Sequence, residues 1–441
     1  MRIHFGTDGI RGRANENLSV DMAYKIGQYL GYKSNGGNIL IGRDTRLSGS
    51  MFASALSAGI TALGSSAYQL GVCSTPELIY LTRHGDFAYG IMITASHNPF
   101  HDNGIKIISS EGLKIDAVLE EEIENYIYTD QQLPFVYGDK IGQVYDYKEG
   151  LQNYLRYLRQ EFPTDLTGCQ LLIDCANGSA TVTAFQLLSS LNAQVQVLSN
   201  TPDGLNINRD CGSTHIERLA EAVKRGHYDA GFAFDGDADR VIAVASDGQI
   251  VDGDKILFCC GRYFQKHGLL NHDKIVTTVM ANLGLFKKLD EYGIGYEKTK
   301  VGDKYVYESM CKNDYVLGGE QSGHIIFSRH ATTGDGLLTA LQLLEIMRKE
   351  GKSLNELTDE LKVYPQLLVN VEVADKEAVL ADEDVLAKCA QVEKQLAGEG
   401  RVLVRASGTE PLVRVMTEAA SDEICKKYVD EIIEVIKSKG Y

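Results

Sequence analysis

The chain has 441 residues, of which 44% are hydrophobic and 24% are charged. This length is too great for a single hydrophobic core, and the composition is that of an ordered protein. Asp and Glu number 60 against 44 Lys and Arg, a formal net charge of -16, which argues against nucleic acid or an anionic membrane surface as the main partner. An anionic substrate would therefore require a local positive pocket.

The cysteines point to a reducing compartment. The nine cysteines are scattered, and the adjacent pair Cys259-Cys260 lacks the CxxC spacing of zinc or redox sites. Free thiols are typical of the cytoplasm. The first six residues lack the apolar core of a secretory signal. We therefore expect a cytoplasmic protein.

One local pattern occurs three times in roughly the first 360 residues, a regularity that indicates repeated architecture. It consists of an apolar strand, a polar turn, a helix and a second strand. The first strand, the helix and the second strand lie at 39–41, 52–63 and 67–70 in the first copy, at 171–173, 181–191 and 195–198 in the second, and at 275–279, 283–292 and near 296 in the third. Such units form right-handed crossovers in mainly parallel sheets. The pattern predicts three similar α/β domains with mixed or parallel sheets.

The last part of the chain has a different pattern. Strands are predicted at 367–373, 401–405 and 412–417, with one amphipathic helix over 376–396 and another over 422–436. Two helices on a small antiparallel sheet form a compact α+β domain. The predicted domains are 1–150, 151–252, 253–363 and 364–441.

The first candidate loop, residues 94–99, follows the apolar run 89–93. A hydroxyl at the end of a strand, here that of Ser96, is placed to project into a crevice. A helix N-cap or an ordinary turn is the alternative, since Ser and Asn suit both. His97 is not automatically a base for Ser96, because adjacent side chains usually diverge.

The second loop carries Asp235, Asp237 and Asp239 directly after the apolar strand 230–234. Three carboxylates at alternate positions can converge on one hard cation, and they leave coordination sites for a phosphate. An EF-hand fails, because Arg240 and Ser246 occupy the positions where it requires Gly and Glu. A solvated acidic turn is the remaining alternative.

The third loop, GGEQSGH at 318–324, combines glycines with side chains that can bind hydroxyl groups. Glu320, Ser322 and His324 supply the acceptors and donors. The alternative is a glycine-rich hairpin turn.

The fourth loop, 405–414, bridges two predicted strands. Its main-chain N–H groups and the hydroxyls of Ser407 and Thr409 can surround phosphate oxygens, and Arg405 and Arg414 add charge-assisted bonds. It lacks the Walker spacing. A nucleophile, a metal site, hydroxyl recognition and a phosphate site together indicate phosphoryl transfer on a sugar.

These motifs resemble the α-D-phosphohexomutase superfamily. The match runs from FGTDGIRG at 5–12 through all four loops in order, and it is closest to the bacterial phosphoglucosamine mutase branch. The branch-like features are VGDKYV at 301–306, Gln321 within GGEQSGH, TTGDG at 332–336 and SGTEPLVRVM at 407–416. Thr94 and Ala238 stand where the branch often has Ser and Gly, and neither change removes a functional group. The resemblance implies four domains around a central cleft.

The resemblance also implies a role for each site residue. Ser96 would be phosphorylated and would hold Mg²⁺ together with Asp235, Asp237 and Asp239. The residues around the phosphoserine would be Arg11, Lys106, Arg240 and His97. Glu320 and Ser322 would bind sugar hydroxyls, with His324 in proton transfer or substrate contact. The phosphate that is not transferred would be held by Arg405, Ser407, Gly408, Thr409 and Arg414.

The implied activity is interconversion of glucosamine 6-phosphate and glucosamine 1-phosphate, which supplies UDP-N-acetylglucosamine and cell-wall synthesis. It would require Mg²⁺ and a glucosamine 1,6-bisphosphate, or a similar hexose bisphosphate, as intermediate and activator. A phosphomannomutase or phosphoglucomutase of the same superfamily, a non-catalytic sugar-phosphate sensor and a metal-dependent phosphatase stay open as alternatives. The expected partner is a small sugar phosphate, with no nucleic acid and no membrane. A homodimer is compatible with the sequence, which does not decide the oligomeric state.

Overall fold

The structure is a computed structural model that describes residues 4–6, 8–129, 131–407 and 411–441. These residues divide into two compact units, one of Met1–Met280 with Ile294–Asp359 and one of Ala281–Gly293 with Glu360–Tyr441. Among the helices so described, none combines the length and the apolar run that a bilayer span requires.

The first unit begins with a six-stranded mixed sheet in the order β1-β5-β4-β2-β3-β6. Its elements are β1 (Ile10–Arg13), α1 (Val20–Lys33), β2 (Asn38–Arg43), α2 (Gly49–Ala62), β3 (Ser66–Val72), α3 (Thr75–His84), β4 (Tyr89–Ile93), β5 (Asp102–Ser109), α4 (Ala117–Tyr128) and β6 (Val144–Asp146). Strands β4, β2, β3 and β6 run parallel, and β1 and β5 are antiparallel to their neighbours. Ile39 and Ile41 pack in one apolar cluster and Leu40 in another, because successive strand residues point to opposite faces.

A second sheet follows, with five strands in the order β11-β10-β9-β7-β8. Its elements are α5 (Gly150–Glu161), β7 (Gln170–Asp174), α6 (Ala184–Ser190), β8 (Gln194–Leu198), α7 (Glu217–Gly226), β9 (Ala230–Phe234), β10 (Val241–Ala245) and β11 (Ile250–Val251). The prediction of one helix over 181–191 was wrong. A short 3-10 turn at Ser179–Val182 comes first, and Thr183, with φ of -117°, separates it from α6.

The third sheet has four strands in the order β13-β12-β14-β15, and β14 and β15 form an antiparallel hairpin. The elements of this stretch are α8 (Gly253–Lys266), β12 (Lys274–Thr278), α9 (Leu283–Glu291), β13 (Gly295–Thr299), α10 (Asp303–Asn313), β14 (Leu317–Gly319), β15 (Ile325–Phe327), α11 (Gly336–Glu350) and α12 (Leu354–Thr358). Helix α9 belongs to the second unit.

The second unit is built on an antiparallel sheet of three strands in the order β16-β18-β17. Its further elements are β16 (Gln366–Glu372), α13 (Lys376–Ala381), α14 (Glu383–Leu396), β17 (Arg401–Ala406), β18 (Leu412–Glu418) and α15 (Asp422–Ser438). The single helix predicted over 376–396 was wrong. Asp382 adopts an extended backbone, and its carboxylate accepts hydrogen bonds from the N–H groups of Asp384 and Val385, so it ends one helix and caps the next.

The predicted fold class is confirmed by this architecture. Three α/β sheets of mixed or parallel strands are followed by a smaller unit of antiparallel strands and helices.

Candidate active site

Ser96 lies in the loop that follows β4. The residue is 2% exposed and has a left-handed φ of 51°. Its hydroxyl donates a 2.6 Å hydrogen bond to Oδ2 of Asp235 and lies 3.3 Å from Nδ1 of His97. The two adjacent side chains, which usually diverge, therefore approach each other at this position.

Fold topology explains why Ser96 and Asp235 meet. Ser96 follows the carboxyl end of β4, and Asp235 follows the carboxyl end of β9 in the second sheet. Open α/β sheets place ligand-binding loops at these strand ends. The first two loops predicted from the sequence therefore form one site within the first unit.

Asp235, Asp237 and Asp239 form a buried carboxylate triad. Their ligand oxygens all lie within 4.8 Å of one another, and Ala238 turns the chain between them with a φ of 55°. Among the described residues, Oδ1 of Asp237 and Oδ1 of Asp239 are buried without a hydrogen-bond partner. Burial, reinforced by the charges of Asp239 and Asp237, raises the pKa of Asp235 well above its ordinary value. A divalent cation would relieve this repulsion, so the donor set fits a hard metal ion.

Lys106 on β5 forms ion pairs with two members of the triad. Its Nζ lies 2.8 Å from Oδ2 of Asp237 and 3.7 Å from Oδ2 of Asp239. Burial alone would lower the pKa of Lys106, but Asp237, Asp239 and Asp8 raise it, so the ammonium stays charged. Lys106 is paired with Met92 in the β4–β5 register, which brings it beside the loop that carries Ser96.

Two arginines add positive charge around the serine loop. Arg11 lies on β1 and donates from Nη2 to Asp8 at 3.1 Å, and Arg240 directly follows the triad. Among the described residues, the buried Nε of each arginine has no hydrogen-bond partner. Burial lowers the pKa of His97, and Arg240 and Arg11 lower it further. Lys106, Arg11 and Arg240 therefore place positive charge among the carboxylates near Ser96, in a chain that is acidic as a whole.

The third predicted loop is the hairpin between β14 and β15, so the turn alternative describes its conformation correctly. Glu320 is 9% exposed, and its Oε1 accepts a 3.0 Å hydrogen bond from the N–H of Gly302. Ser322 is exposed. Gly323 has a φ of 90°, and a Cβ there would lie 2.2 Å from the carbonyl oxygen of Val241. This glycine lets the hairpin pack against the strand that follows the triad.

His324 is buried behind the triad. Its Nδ1 lies 3.7 Å from Oδ2 of Asp239, and its Nε2 accepts a 2.9 Å hydrogen bond from the N–H of Gly334. Burial would lower the pKa of His324, but Asp239, Asp303 and Glu320 raise it. Protonation of Nε2 would break the hydrogen bond from Gly334, and this contact is direct and short. We therefore assign the neutral tautomer, with its proton on Nδ1 toward Asp239.

The fourth loop lies in the second unit, where it forms a cationic cluster of its own. Arg405 on β17 and Arg414 on β18 face each other in the antiparallel register. Burial lowers the pKa of Arg405, and so does the charge of Arg414. Nζ of Lys376 donates to the carbonyl oxygen of Ser407 at 2.8 Å. Like charges opposite each other on a sheet are unfavourable unless an anion binds there. Gly408 and Thr409 lie outside the described residues.

Four family models match the chain, and together they cover most of it. They are described as phosphoglucomutase/phosphomannomutase alpha/beta/alpha domain I at 2–133, domain II at 149–248, domain III at 252–364 and C-terminal domain at 368–435. The chain belongs to the phosphoglucomutase/phosphomannomutase family. This result confirms the resemblance to the α-D-phosphohexomutase superfamily that the motifs indicated.

Two full-length relatives are named phosphoglucosamine mutase. One from Lachnoclostridium phytofermentans is 48% identical over 445 residues, covering 100% of this chain and 99% of the relative. One from Geobacillus thermodenitrificans is 51% identical over 442 residues, covering 99% of each.

Two solved structures have the same fold as this chain. A phosphoglucomutase/phosphomannomutase family protein from Burkholderia thailandensis has a TM-score of 0.80 at 24% identity, covering 98% of this chain and 97% of its own. The N-acetylphosphoglucosamine mutase of Aspergillus fumigatus, solved with GlcNAc-6P and magnesium, has a TM-score of 0.70 at 18% identity, covering 100% and 96%.

Several residues that contact this candidate site were not predicted from the sequence. Arg46 is buried beneath the serine loop, and its Nη2 donates to the carbonyl oxygen of Ser96 at 2.9 Å. Thr75 at the start of α3 donates from its hydroxyl to Oδ2 of Asp237 at 2.6 Å. Arg46 could have been suspected from its position in the polar segment GRDTR at 42–46, at the end of β2. Strand β2 pairs with β4, and the loop after β4 carries Ser96.

A third missed residue, Lys114, joins distant segments of the first unit. Its Nζ donates to Asp8 at 3.1 Å and to both carboxylate oxygens of Asp303 at 2.9 and 2.8 Å. Asp303 belongs to the VGDKYV motif at 301–306, for which the sequence alone suggested no contact.

Proposed function

We propose that this protein is a phosphoglucosamine mutase, which interconverts glucosamine 6-phosphate and glucosamine 1-phosphate with Ser96 as the phosphoryl carrier. The observation that carries the proposal is the 2.6 Å contact between the Ser96 hydroxyl and Asp235, a member of the buried triad. A buried serine next to a potential metal site, with Lys106, Arg11 and Arg240 nearby, is suited to accept and return a phosphoryl group. The relatives named phosphoglucosamine mutase, at 48% and 51% identity, support the choice of the amino sugar.

The reaction has two balanced phosphoryl transfers. In the first, O1 of glucosamine 6-phosphate attacks the phosphorus on Ser96. The O1–P bond forms and the P–Oγ bond breaks. O1 loses its proton, and Oγ gains one. In the second, Oγ attacks the phosphorus on O6 of the resulting 1,6-bisphosphate, and glucosamine 1-phosphate leaves with a proton on O6. No water is consumed, because each transfer moves phosphate only between hydroxyl oxygens.

Asp235, Asp237 and Asp239, together with the phosphate on Ser96, would hold Mg²⁺. The fit rests on the buried oxygens of Asp237 and Asp239 that lack hydrogen-bond partners among the described residues. The magnesium in the A. fumigatus structure supports the choice of metal. When bound, Mg²⁺ supplies charge stabilisation for the transferred phosphoryl group.

The cations near Ser96 have distinct tasks in this proposal. Lys106 keeps the triad in place through Asp237 and offsets part of its negative charge. Arg11 and Arg240 would hold oxygens of the transferred phosphoryl group, where their fork geometry suits phosphate. His97 stays neutral beside the two arginines, and its Nδ1 can accept the Oγ proton.

For His324, the contacts with Gly334 and Asp239 favour an orienting role over direct proton transfer. A neutral imidazole whose Nδ1–H faces a carboxylate fixes the direction of that carboxylate, as in other metal sites. His324 would therefore act through Asp239.

The sugar and its second phosphate require the remaining loops. Oε2 of Glu320 has no hydrogen bond to any described residue, so we propose that it binds the sugar, together with Ser322. Arg405, Ser407 and Arg414, with Gly408 and Thr409, would hold the phosphate that is not being transferred. A site that recognises phosphate through charge accepts either end of the bisphosphate, as the reaction requires.

The state of the cysteines bears on the compartment in which the protein works. All nine cysteines are unpaired, and seven of them are buried. A protein with this many free thiols and no disulfide is typical of a reducing compartment. We therefore propose a cytoplasmic enzyme that acts on a small sugar phosphate.

The test is a comparison of substrates. The purified protein is given Mg²⁺, a trace of hexose 1,6-bisphosphate and, separately, the 6-phosphates of glucosamine, glucose and mannose. We expect the highest kcat/KM with glucosamine 6-phosphate, with side activity on glucose 6-phosphate because one ring position contributes only about 1–3 kcal/mol of discrimination. A preference for glucose or mannose would overturn the amino-sugar assignment, and release of inorganic phosphate instead of an isomer would indicate a phosphatase.

A further inference from the structure

The peptide segment that carries Ser96 is held from behind by one buried arginine, Arg46. The residue is 1% exposed, and all five N–H groups of its guanidinium donate hydrogen bonds. Nε donates to Oδ2 of Asp44 at 2.8 Å. The other four reach main-chain carbonyl oxygens between residues 96 and 102, those of Ser96 (2.9 Å), Asn98 (2.8 Å), Asp102 (3.0 Å) and Pro99.

The same acidic residue also restrains Ser96 through its amide group. The N–H of Ser96 donates to the hydroxyl oxygen of Thr94 at 2.9 Å, and that hydroxyl donates to Oδ2 of Asp44 at 2.7 Å. Asp44 is therefore connected to the N–H of Ser96 through Thr94 and to its carbonyl through Arg46. Both polar backbone groups of the nucleophile are fixed by one buried carboxylate.

A second donor comes from the segment after β8, in the part of the first unit built on the second sheet. Nδ2 of Asn208 donates to the carbonyl oxygens of Ser96 at 2.8 Å and Asn98 at 3.1 Å. The side chain is buried, with the residue 7% exposed. The carbonyl of Ser96 thus receives hydrogen bonds from two loop residues, one after a strand of the first sheet and one after a strand of the second.

These contacts explain how Ser96 keeps an unfavourable backbone conformation. Its φ of 51° is left-handed, a region that residues with a Cβ occupy only when their surroundings hold them there. The direction of Cβ, and with it the position of Oγ against Asp235, depends on that conformation. Transfer to or from Oγ requires in-line geometry, so a small rotation of the loop would slow the reaction.

We propose that Arg46 and Asn208 are positioning residues for phosphoryl transfer, which act by holding the carbonyl group of Ser96. The inference rests on the proposed function of Ser96 as phosphoryl carrier. It assigns to Arg46 a task that lysine cannot perform, because a single ammonium group cannot reach four carbonyls spread over seven residues.

The decisive variant is Asn208→Gly, since the φ of Asn208 is 56° and glycine keeps that conformation while it removes both hydrogen bonds. The phosphorylatable fraction is measured first, as labelled phosphate taken up per chain from glucose 1,6-bisphosphate. Turnover is then expressed per phosphorylated site. We expect kcat per site to fall by about 10- to 100-fold, with KM for glucosamine 6-phosphate within about twofold of the unaltered protein. Arg46→Lys should lower kcat per site further, or reduce the folded yield.

The matched control is Thr45→Val. Thr45 is a buried neighbour of Arg46, and its hydroxyl donates to the carbonyl oxygen of Asn177 at 2.6 Å, which is not a carbonyl of the serine loop. A purely structural effect lowers the phosphorylatable fraction without changing turnover per site, and we expect this result for Thr45→Val. If Asn208→Gly behaves in the same way, the positioning role is overturned.

The proposed function can fail separately from this inference. If the unaltered protein isomerises none of the three sugar 6-phosphates, the rate of phosphoryl uptake by Ser96 from glucose 1,6-bisphosphate becomes the readout. Slower uptake in Asn208→Gly than in Thr45→Val would support the positioning role. Equal rates, or no uptake on Ser96 in the unaltered protein, would overturn it.

Discussion

The hydroxyl oxygen of Ser96 lies 2.6 Å from Oδ2 of Asp235, although 139 residues separate the two in the chain. Neither residue would be reactive alone, since an isolated serine is a weak nucleophile and an isolated buried aspartate takes up a proton. Their contact joins the ends of strands from two different sheets. This contact makes Ser96 a candidate for the phosphoryl carrier and Asp235 a candidate for a ligand of the metal ion beside it.

Loss of the hydroxyl should abolish turnover and spare binding. We expect Ser96→Ala to lower kcat by at least about 1,000-fold, because no other group can carry the phosphoryl unit. The dissociation constant for glucosamine 6-phosphate, measured by calorimetry, should change by less than about tenfold, since most contacts to the sugar phosphate are kept. The control is Ser190→Ala, whose hydroxyl only donates to the carbonyl of Leu187 on a helix. Near-normal turnover of Ser96→Ala would remove serine as the carrier.

Removal of one triad carboxylate should weaken metal binding. Oδ1 of Asp239 has no hydrogen-bond partner among the described residues, so Asp239→Asn removes a charge while it keeps the side-chain volume. We expect Mg²⁺ binding at least about tenfold weaker by calorimetry and a kcat lower by at least about 100-fold. Asp273→Asn, at an exposed turn, is the matched control. Unchanged Mg²⁺ affinity in Asp239→Asn would contradict the metal assignment.

The paired arginines of the second unit should contribute to affinity. Arg414→Ala removes a charge-assisted phosphate contact, which contributes about 1.5–3 kcal/mol, and we expect KM for the sugar phosphate and the activating bisphosphate to rise by roughly 10- to 100-fold. The control is Arg225→Ala, which breaks only an exposed ion pair with Glu221. Equal apparent affinities in the two variants would contradict the phosphate site.

Glu77 predicts a specific pH dependence of stability. Burial raises the pKa of Glu77 to about 8 from 4.5, and its Oε1 has no hydrogen-bond partner among the described residues. Between pH 4.5 and about pH 8, Glu77 keeps its proton in the folded chain and has lost it in the unfolded chain. The free energy of unfolding therefore falls as pH rises, by at most roughly 1.4 kcal/mol per pH unit from this group.

Glu77→Gln removes that titration. The melting temperature of the variant, compared with that of the unaltered protein, should be similar near pH 5 and increasingly higher up to pH 8. A difference that does not change between these pH values would show that Glu77 does not titrate in this range.

Much of the fold could be predicted because it depends on local patterns. The predicted strands 89–93 and 230–234 coincide with β4 and β9, since each is an apolar run bounded by polar turn residues. The two wrong helix predictions share one cause. At Asp382 a side chain caps the start of a new helix, and at Thr183 a 3-10 turn gives way to α6. Neither event interrupts the apolar periodicity.

The site was only partly accessible to sequence analysis. Side chains that carry chemistry, such as Ser96 and the triad, occur in recognisable loops after apolar strands. Arg46 and Lys114 were missed because their importance lies in partners far along the chain, which pattern and spacing do not reveal. Lys114, for instance, meets Asp303 across 189 residues.

The most direct test of the central claim is to locate the phosphoryl group on the protein. The purified chain is incubated with Mg²⁺ and labelled glucose 1,6-bisphosphate, digested and analysed by mass spectrometry, and the labelled protein is then mixed with glucosamine 6-phosphate. We predict one phosphoryl group per chain, on Ser96, and its transfer to the sugar within the time of catalytic turnover. Label on a different residue, or label on Ser96 that glucosamine 6-phosphate does not remove, would contradict the account.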